Sequence, residues 1–367
     1  MNFPLRSAIF AVFIQVAFAQ SPDLFPQGVN RIDFETDGLF SGDIDISNSK
    51  LSFEQVRGSW NFSGSLGQSH HRVDYTPTFV TSAVTRREEA QNFDLQIERV
   101  INPRLTLTGS VAYSQGFIDH RSIWISEYYD QLNRFDPAYR EAFPESFSGS
   151  IGLQWNYDPG KSFLSVSFSQ ADTTIVPGWE TEVNGLTGDA SLFSTNETLR
   201  TFSGTAIWNT VVNSRMRVQQ TLRIGRTQSR RIRPQFQSEL AYALTSDLTV
   251  RLQLGGAHEN PTLISRYGGL GAVYDMNSQW QVNLNYRYYE DTGEVNTANF
   301  NTSAPAIATR ELSAGVRWSN GITSVLGSVG LYGIDYESVA GTGNVFFSGL
   351  YQDRDFTAVR VAVTHRF

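Results

Sequence analysis

Gln279-Trp-Gln-Val-Asn-Leu-Asn-Tyr-Arg-Tyr-Tyr289 is the stretch that decides the fold. In an extended chain, successive side chains point to opposite faces. Trp280, Val282, Leu284, Tyr286 and Tyr288 then share one face, and Gln279, Gln281, Asn283, Asn285 and Arg287 share the other. A period of two with a wholly apolar face and a wholly polar face is the mark of a strand between two different solvents.

The same alternation recurs along the chain. Phe93, Leu95, Ile97 and Ile101 oppose Asn92, Asp94, Gln96 and Glu98, and Leu248, Val250, Leu252 and Leu254 oppose Thr249, Arg251 and Gln253. Segments 56–67, 104–114, 150–156 and 215–225 repeat it. The strands they imply run for roughly ten to thirteen residues. That is long for a soluble sheet but suits a tilted strand crossing a bilayer.

The connections alternate in length. Short ones fall at Asn102-Pro103, Tyr157–Gly160, Thr210–Ser214, Thr245–Asp247, Asp275–Ser278 and Ser319–Gly321. Longer, mostly polar and acidic ones fall near 69–87, 117–146, 172–197, 228–234, 258–262, 291–307 and 336–355. Together they predict an all-β fold: a closed antiparallel transmembrane β-barrel of about fourteen strands (twelve to sixteen), with short periplasmic turns and long outer loops. Residues 28–50 and 322–334 alternate poorly. The expected organisation is a signal peptide at 1–19, an N-terminal extension at 20–54 (periplasmic arm, small plug or extra hairpin) and the barrel at 55–367.

Composition agrees. The chain has 367 residues, no cysteine, 13% aromatic and only 18% charged residues. Without cysteine there is no disulfide, thiolate metal site or thiol nucleophile. A net charge of −7 speaks against nucleic acid as a partner. Arg6, the apolar run Ala8–Val16 and Ala17-Phe18-Ala19 have the form of a cleaved export signal. Trp155, Trp208, Trp280 and Trp318 lie on apolar faces near short turns. Tryptophan favours membrane interfaces, so these four predict an aromatic girdle at the periplasmic side.

The chain ends Val359-Arg-Val-Ala-Val-Thr-His-Arg-Phe367. This resembles the C-terminal signal strand of Gram-negative outer-membrane β-barrel proteins. Val359, Val361, Val363 and Phe367 stand at its alternating apolar positions and final aromatic; His365 departs from it. The resemblance implies residence in the bacterial outer membrane, recognition by the barrel-assembly machinery, and contact with outer-membrane lipid and lipopolysaccharide. It names no subfamily.

If the apolar face meets lipid, the polar face lines the lumen. Arg215, Arg217, Arg223, Arg251, Arg287, Arg317, Arg360 and Arg366 fall there, against the acids Asp94, Glu98, Glu239 and Glu311. One-sided charge in a low-dielectric tube concentrates counter-ions. The leading expectation is a porin-like passive channel for small polar or anionic solutes. The bland alternative is that these arginines pair with Asp94, Glu98 and Glu239 and merely fill the lumen, giving a structural or assembly barrel that acts through its loops. A third is a hydrolase using His258, Glu259 and Ser265. His70, His71 and Asp74 could in principle hold a metal, but their spacing is not specific. No cofactor, metal or catalytic group is expected. Gly268-Gly269-Leu270-Gly271 is a glycine-rich strand where lumen packing is tight.

Overall fold

The fold comes from a computed structural model that describes residues 30–75, 84–116, 145–183, 190–228, 231–259, 263–293, 295–296, 302–303, 306–336 and 353–367. The expected signal peptide and most of the expected connections at 117–146 and 336–355 lie outside them, whereas much of the expected connections at 69–87 and 172–197 is strand.

The strands are β1 Arg31–Phe40, β2 Ile44–Arg57, β3 Trp60–Tyr75, β4 Val84–Asn102, β5 Leu105–Gly116, β6 Glu145–Asp158, β7 Ser162–Val183, β8 Ala190–Asn213 and β9 Met216–Thr227. There follow β10 Ile232–Ala243, β11 Leu248–Glu259, β12 Leu263–Asp275, β13 Trp280–Asp291, β16 Ile307–Ser319, β17 Thr323–Tyr336 and β18 Arg354–Arg366. Two short strands, β14 Val295–Asn296 and β15 Thr302–Ser303, pair only with each other between β13 and β16. All the others form one closed antiparallel ring in which each strand pairs with its neighbours in sequence and β1 pairs with β18.

The barrel therefore has sixteen strands, not fourteen. The two extra are β1 and β2. Of the three forms considered for the N-terminal segment, the hairpin is the one seen, and barrel strands begin at Arg31 rather than near residue 55. The alternation fails there for a physical reason. The outward-facing positions of β2 include Ser47 and Ser49, and β1 places Thr36 and Gly38 beside them. The segment 322–334 is a full strand whose pattern is blurred differently: Leu326, Tyr332 and Ile334 occupy the polar face.

One set of tight turns shares a local device. Asn102, Asn213, Asn277 and Asn320 each accept a backbone N–H from two residues ahead, onto Oδ1. An asparagine that bonds its own backbone this way mimics a turn. Gly58 and Gly321 sit in tight turns at φ 59° and 91°, where a side chain would be strained.

Closure sorts the side chains. Directly paired residues share a face, so the register can be followed round the ring. The row Arg217, Ala241, Arg251, Gly271, Asn285 and Ser313 lies on one side of the sheet. Small polar groups on that side are buried, Ser65 at 2% and Asn209 at 1% exposure, whereas Ile151 and Phe168 on the other side are 67% and 66% exposed. A curved sheet buries its concave face, so the polar face lines the lumen and the apolar face is outside. Strands of about twelve residues rise ~3.3 Å per residue, enough to cross a hydrocarbon core when tilted.

This assignment predicts opposite outcomes for two neighbours on β13. Leu284→Arg, on the outer face, should cost about 2–4 kcal/mol in lipid vesicles. Asn283→Arg, in the lumen, should cost far less. Urea titrations of refolded protein measure both, and equal losses would refute the facing.

Candidate functional site in the lumen

Alternation carries two rows of side chains across the wall from β8 to β16. One is Arg217, Ala241, Arg251, Gly271, Asn285; its neighbour is Asn209, Gln219, Glu239, Gln253, Gly269, Arg287, Glu311. Gly269 and Gly271 have no side chain to fill their places. The result is a recess of about 430 Å³ bounded by Arg217, Arg251, Arg287, Glu239, Asn285 and the two glycines. Both lumen glycines of the stretch expected to mark tight packing border the hollow: Gly271 is tightly packed as expected, and Gly269 is open. A Cβ at Gly269 would meet only ordinary contacts, the nearest being the Tyr286 carbonyl oxygen at 3.5 Å. A Cβ at Gly271 would come within 2.8 Å of the Asn285 amide oxygen. Gly255, the next lumen glycine, is roofed by Tyr267, whose hydroxyl donates to Gln237 Oε1 at 2.7 Å.

The arginines differ in their partners. Arg217 Nε donates to Asn209 Oδ1 at 3.1 Å, Arg223 Nη2 to Ser203 Oγ at 3.4 Å, and Arg317 Nη2 to Ser324 Oγ at 3.3 Å. These are neutral acceptors. Arg251 has no carboxylate partner among the described residues. Arg287 stands 3.8 Å from Glu311, and Arg360 pairs with Glu35 at 2.7 Å. Arg215 is not in a strand: it lies in the turn between β8 and β9, its N–H donating to Asn213 Oδ1. Arg366 ends β18 opposite Arg31.

The acids take other partners than the filled-lumen alternative requires. Asp94 is 3.9 Å from Lys50 and accepts from Ser65. Glu98 accepts from Gln96 at 2.7 Å and Asn61 at 3.5 Å. Glu239 accepts from Gln237 and, at 3.3 Å, from Gln253. None of the expected lumen arginines forms an ion pair with these three among the described residues.

The first hairpin brings charges that sequence patterning missed. Asp33, Glu35 and Asp37 on β1 and Glu54 on β2 share the lumen face with Arg31 and Lys50. With Asp94 and Glu98 they make an acidic sector on β1–β4. The arginine-bearing sector runs over β9–β13, across the ring. Charge in this lumen is therefore divided by wall rather than positive throughout. Between the two sectors, β5–β8 line the lumen with hydroxyls: Ser110 meets Ser150 at 2.6 Å, and Ser169 meets Ser203 at 2.6 Å.

The loop end of the lumen is apolar on one side. Ile44, Val73, Ile334 and Phe356 are buried together, with Leu39, Ile46, Ile307, Tyr332 and Tyr336 packed against them. Arg354 bridges to Asp43 at 3.0 Å beside them. Across the mouth, buried Glu259 pairs with Arg233 at 2.7 Å.

The register removes the hydrolase pair. His258 pairs with Ile264 and Ser265 with Ala257, so the two side chains leave opposite faces of the sheet. His70 and His71 likewise point to opposite faces, and His71 is buried. No group of three potential metal ligands occurs among the described residues.

Outside, Trp155 and Trp208 flank Leu164, and Trp280 pairs directly with Trp318. Trp60, beside the Gly58 turn, joins them on the outer face, with Arg99 stacked 5.0 Å from its ring centroid. At the terminus, His365 meets Phe367 edge-on at 4.7 Å and Thr323 Oγ1 at 2.9 Å, which accommodates the residue that departs from the signal-strand pattern.

A closed antiparallel barrel with a lipid-type exterior and a polar lumen defines the outer-membrane β-barrel class. By sequence the chain matches no protein-family model and no curated protein. Among solved structures it is similar to CdiB from Acinetobacter baumannii, with a TM-score of 0.56 and 9% identity over 93% of this chain and 60% of that one. It is also similar to the Pseudomonas putida toluene transporter TodX, with a TM-score of 0.45 and 11% identity over 94% and 90%. A bacterial polysaccharide outer-membrane secretin gives a TM-score of 0.48 and 8% identity over 94% and 100%. At these identities the likeness is one of fold.

The Arg360–Glu35 pair is half-exposed, and such pairs contribute about 0–1 kcal/mol. Arg360→Gln should therefore shift the urea midpoint little, while Glu35→Gln in the same background should add almost nothing. A double-mutant cycle checks this.

Proposed function

We propose that the chain is a passive outer-membrane channel for small polar and anionic solutes. The observation that carries this reading is the combination of a sixteen-strand ring with a polar concave face. Rings of that size elsewhere leave an aqueous channel. Arg217, Arg223, Arg251 and Arg287, continued by Arg317 on β16, form the attractive wall; Arg217, Arg223 and Arg317 donate to neutral acceptors and only Arg287 faces a carboxylate, Glu311 at 3.8 Å, so most of that charge is available to a passing anion. The acids of β1–β4 form the opposing wall. A solute is then oriented as it passes, carboxylate toward β9–β13, because opposite charges across a narrow water column produce a transverse field.

The surrounding assignments follow from the same reading. Residues 1–19 direct export. Trp60, Trp155, Trp208, Trp280 and Trp318 hold the periplasmic interface. Val359, Val361, Val363 and Phe367 present the strand that the assembly machinery engages. Outer-membrane lipid meets the apolar band, and lipopolysaccharide meets its upper rim. The chain is no enzyme in this reading.

The apolar cluster around Ile44, Val73, Ile334 and Phe356 favours a second reading, in which the loop end is filled and the barrel acts through its surface. Planar-bilayer recording separates the two. The channel reading expects stepwise current from the refolded chain with a preference for chloride over potassium. Arg217→Ala with Arg251→Ala should cut that preference severalfold without abolishing conductance. Absence of current would refute the channel. An anion preference unchanged in the double variant would refute the arginine wall.

A further inference from the structure

Within the lumen, the recess on β9–β13 is more specific than a charged wall requires. We infer that it is a binding subsite for a small hydroxylated carboxylate, of the chemical class of aldonic and uronic acids. The inference deepens the channel reading by naming where a solute pauses and what it must carry.

Three features converge. The first is the spacing of charge. Arg217, Arg251 and Arg287 stand on β9, β11 and β13, with the small residues Ala241, Gly269 and Gly271 between them. Adjacent strands lie ~4.8 Å apart, so the Arg251 backbone is about 10 Å from each of the other two, and those two are about 19 Å from one another. Long side chains from that distance can meet over the glycine floor. Guanidinium forks match carboxylate geometry with two parallel hydrogen bonds. Arg251 has no carboxylate partner among the described residues, and Arg217 has only an amide, so both forks are open to one.

The second feature is the amide shell. Asn285, Gln219 and Gln253 line the same recess, with Glu239 held by Gln253 and Gln237. Each amide has one partner in the wall, Gln219 Oε1 accepting from Asn209 at 2.9 Å, Asn285 Nδ2 donating to Asn283 at 3.3 Å and Gln253 Nε2 donating to Glu239 at 3.3 Å, and an inorganic anion or an alkyl carboxylate would leave their remaining hydrogen-bonding capacity unused. A polyhydroxylated chain pairs with them, its hydroxyls donating to Glu239 and the amide oxygens and accepting from the amide nitrogens. A site built for hydroxyls discriminates strongly against ligands that lack them. Glu239 also disfavours a second negative charge on the ligand.

The third feature is the floor. Gly269 and Gly271 let a ligand approach the backbone, and about 430 Å³ suits a molecule of this size.

The test uses the full barrel refolded in lipid nanodiscs, with compactness checked by heat-modifiable gel mobility. Gluconate is the probe, and saturation-transfer NMR reads its binding without any need for current. Saturable gluconate binding is expected. Sorbitol, which lacks the charge, and hexanoate, which lacks the hydroxyls, should each bind at least tenfold more weakly. Inorganic phosphate should compete poorly. Arg251→Gln should weaken gluconate at least tenfold. Gly269→Leu should abolish binding by filling the recess, while Gly269→Ala, whose Cβ meets only ordinary contacts, should fold and retain most of it. Ser110→Ala on β5 should change nothing.

The inference is overturned if gluconate does not saturate, if hexanoate or phosphate binds as well, or if Arg251→Gln and Gly269→Leu both bind like the parent. Binding without current in planar bilayers would refute the channel and keep the site. Current without gluconate binding would refute the site and keep the channel.

Discussion

Hydrocarbon offers no hydrogen-bond partner, and each unsatisfied backbone amide or carbonyl in it costs several kcal/mol. A sheet in that setting cannot have an open edge. Here the constraint is met by pairing β1 with β18 along their whole shared length, from Arg31 beside Arg366 to Phe40 beside Thr357. Everything else follows from that closure. It curves the sheet and gives it an inside. It also turns a sequence period of two into two chemically different surfaces. A charged residue in any strand must then stand in the lumen or at a rim.

With the faces fixed, the lumen's character depends on which strands carry which polar residues. Acids crowd the first four strands and arginines β9–β13, with hydroxyls between them on β5–β8 and Arg317, Arg360 and Arg366 on the other side, on β16 and β18. Size matters as much as charge. The recess exists because Ala241, Gly269 and Gly271 occupy inward positions between longer side chains. At the loop end the same inward positions hold Ile44, Val73, Ile334 and Phe356, and the wall is apolar and packed. One register thus produces an ion-bearing middle and an oily rim.

The fold was legible wherever one face was consistently apolar. The strand at 279–289, the short asparagine turns and the final strand could all be placed from sequence. The first hairpin could not, because Thr36, Gly38, Ser47 and Ser49 dilute its outer face, and closure is a long-range property that no local window contains. That omission distorted the site. Without β1 and β2, the lumen acids reduced to Asp94, Glu98, Glu239 and Glu311, and the arginines looked dominant throughout. Arg215 looked like a strand residue because alternation does not mark where a turn ends. The pairing of Arg360 with Glu35 was invisible because Glu35 had no strand to stand on. The recess itself was hidden because glycine reads as a packing residue or a bend, and only cross-strand register shows which side chains surround the space it leaves.

The seam between β1 and β18 also sets the order in which the molecule can come together. Every other barrel pairing joins strands that are neighbours in sequence, so hairpins can form in succession with modest loop-closure entropy. The seam alone joins distant chain ends, as in the contact of Asp33 with Thr364. Contacts of such separation are the slow ones in folding. The barrel's completion is therefore a single late zipping event, and until it happens the first and last strands are the two open edges of a growing sheet. The residues that finish the ring, Asp33, Glu35, Arg360 and Thr364, meet on the lumen side of that joint. Their polar contacts are made only when the tube is already closed, so they mark its closure, while the backbone ladder of the seam is what holds it shut against the membrane.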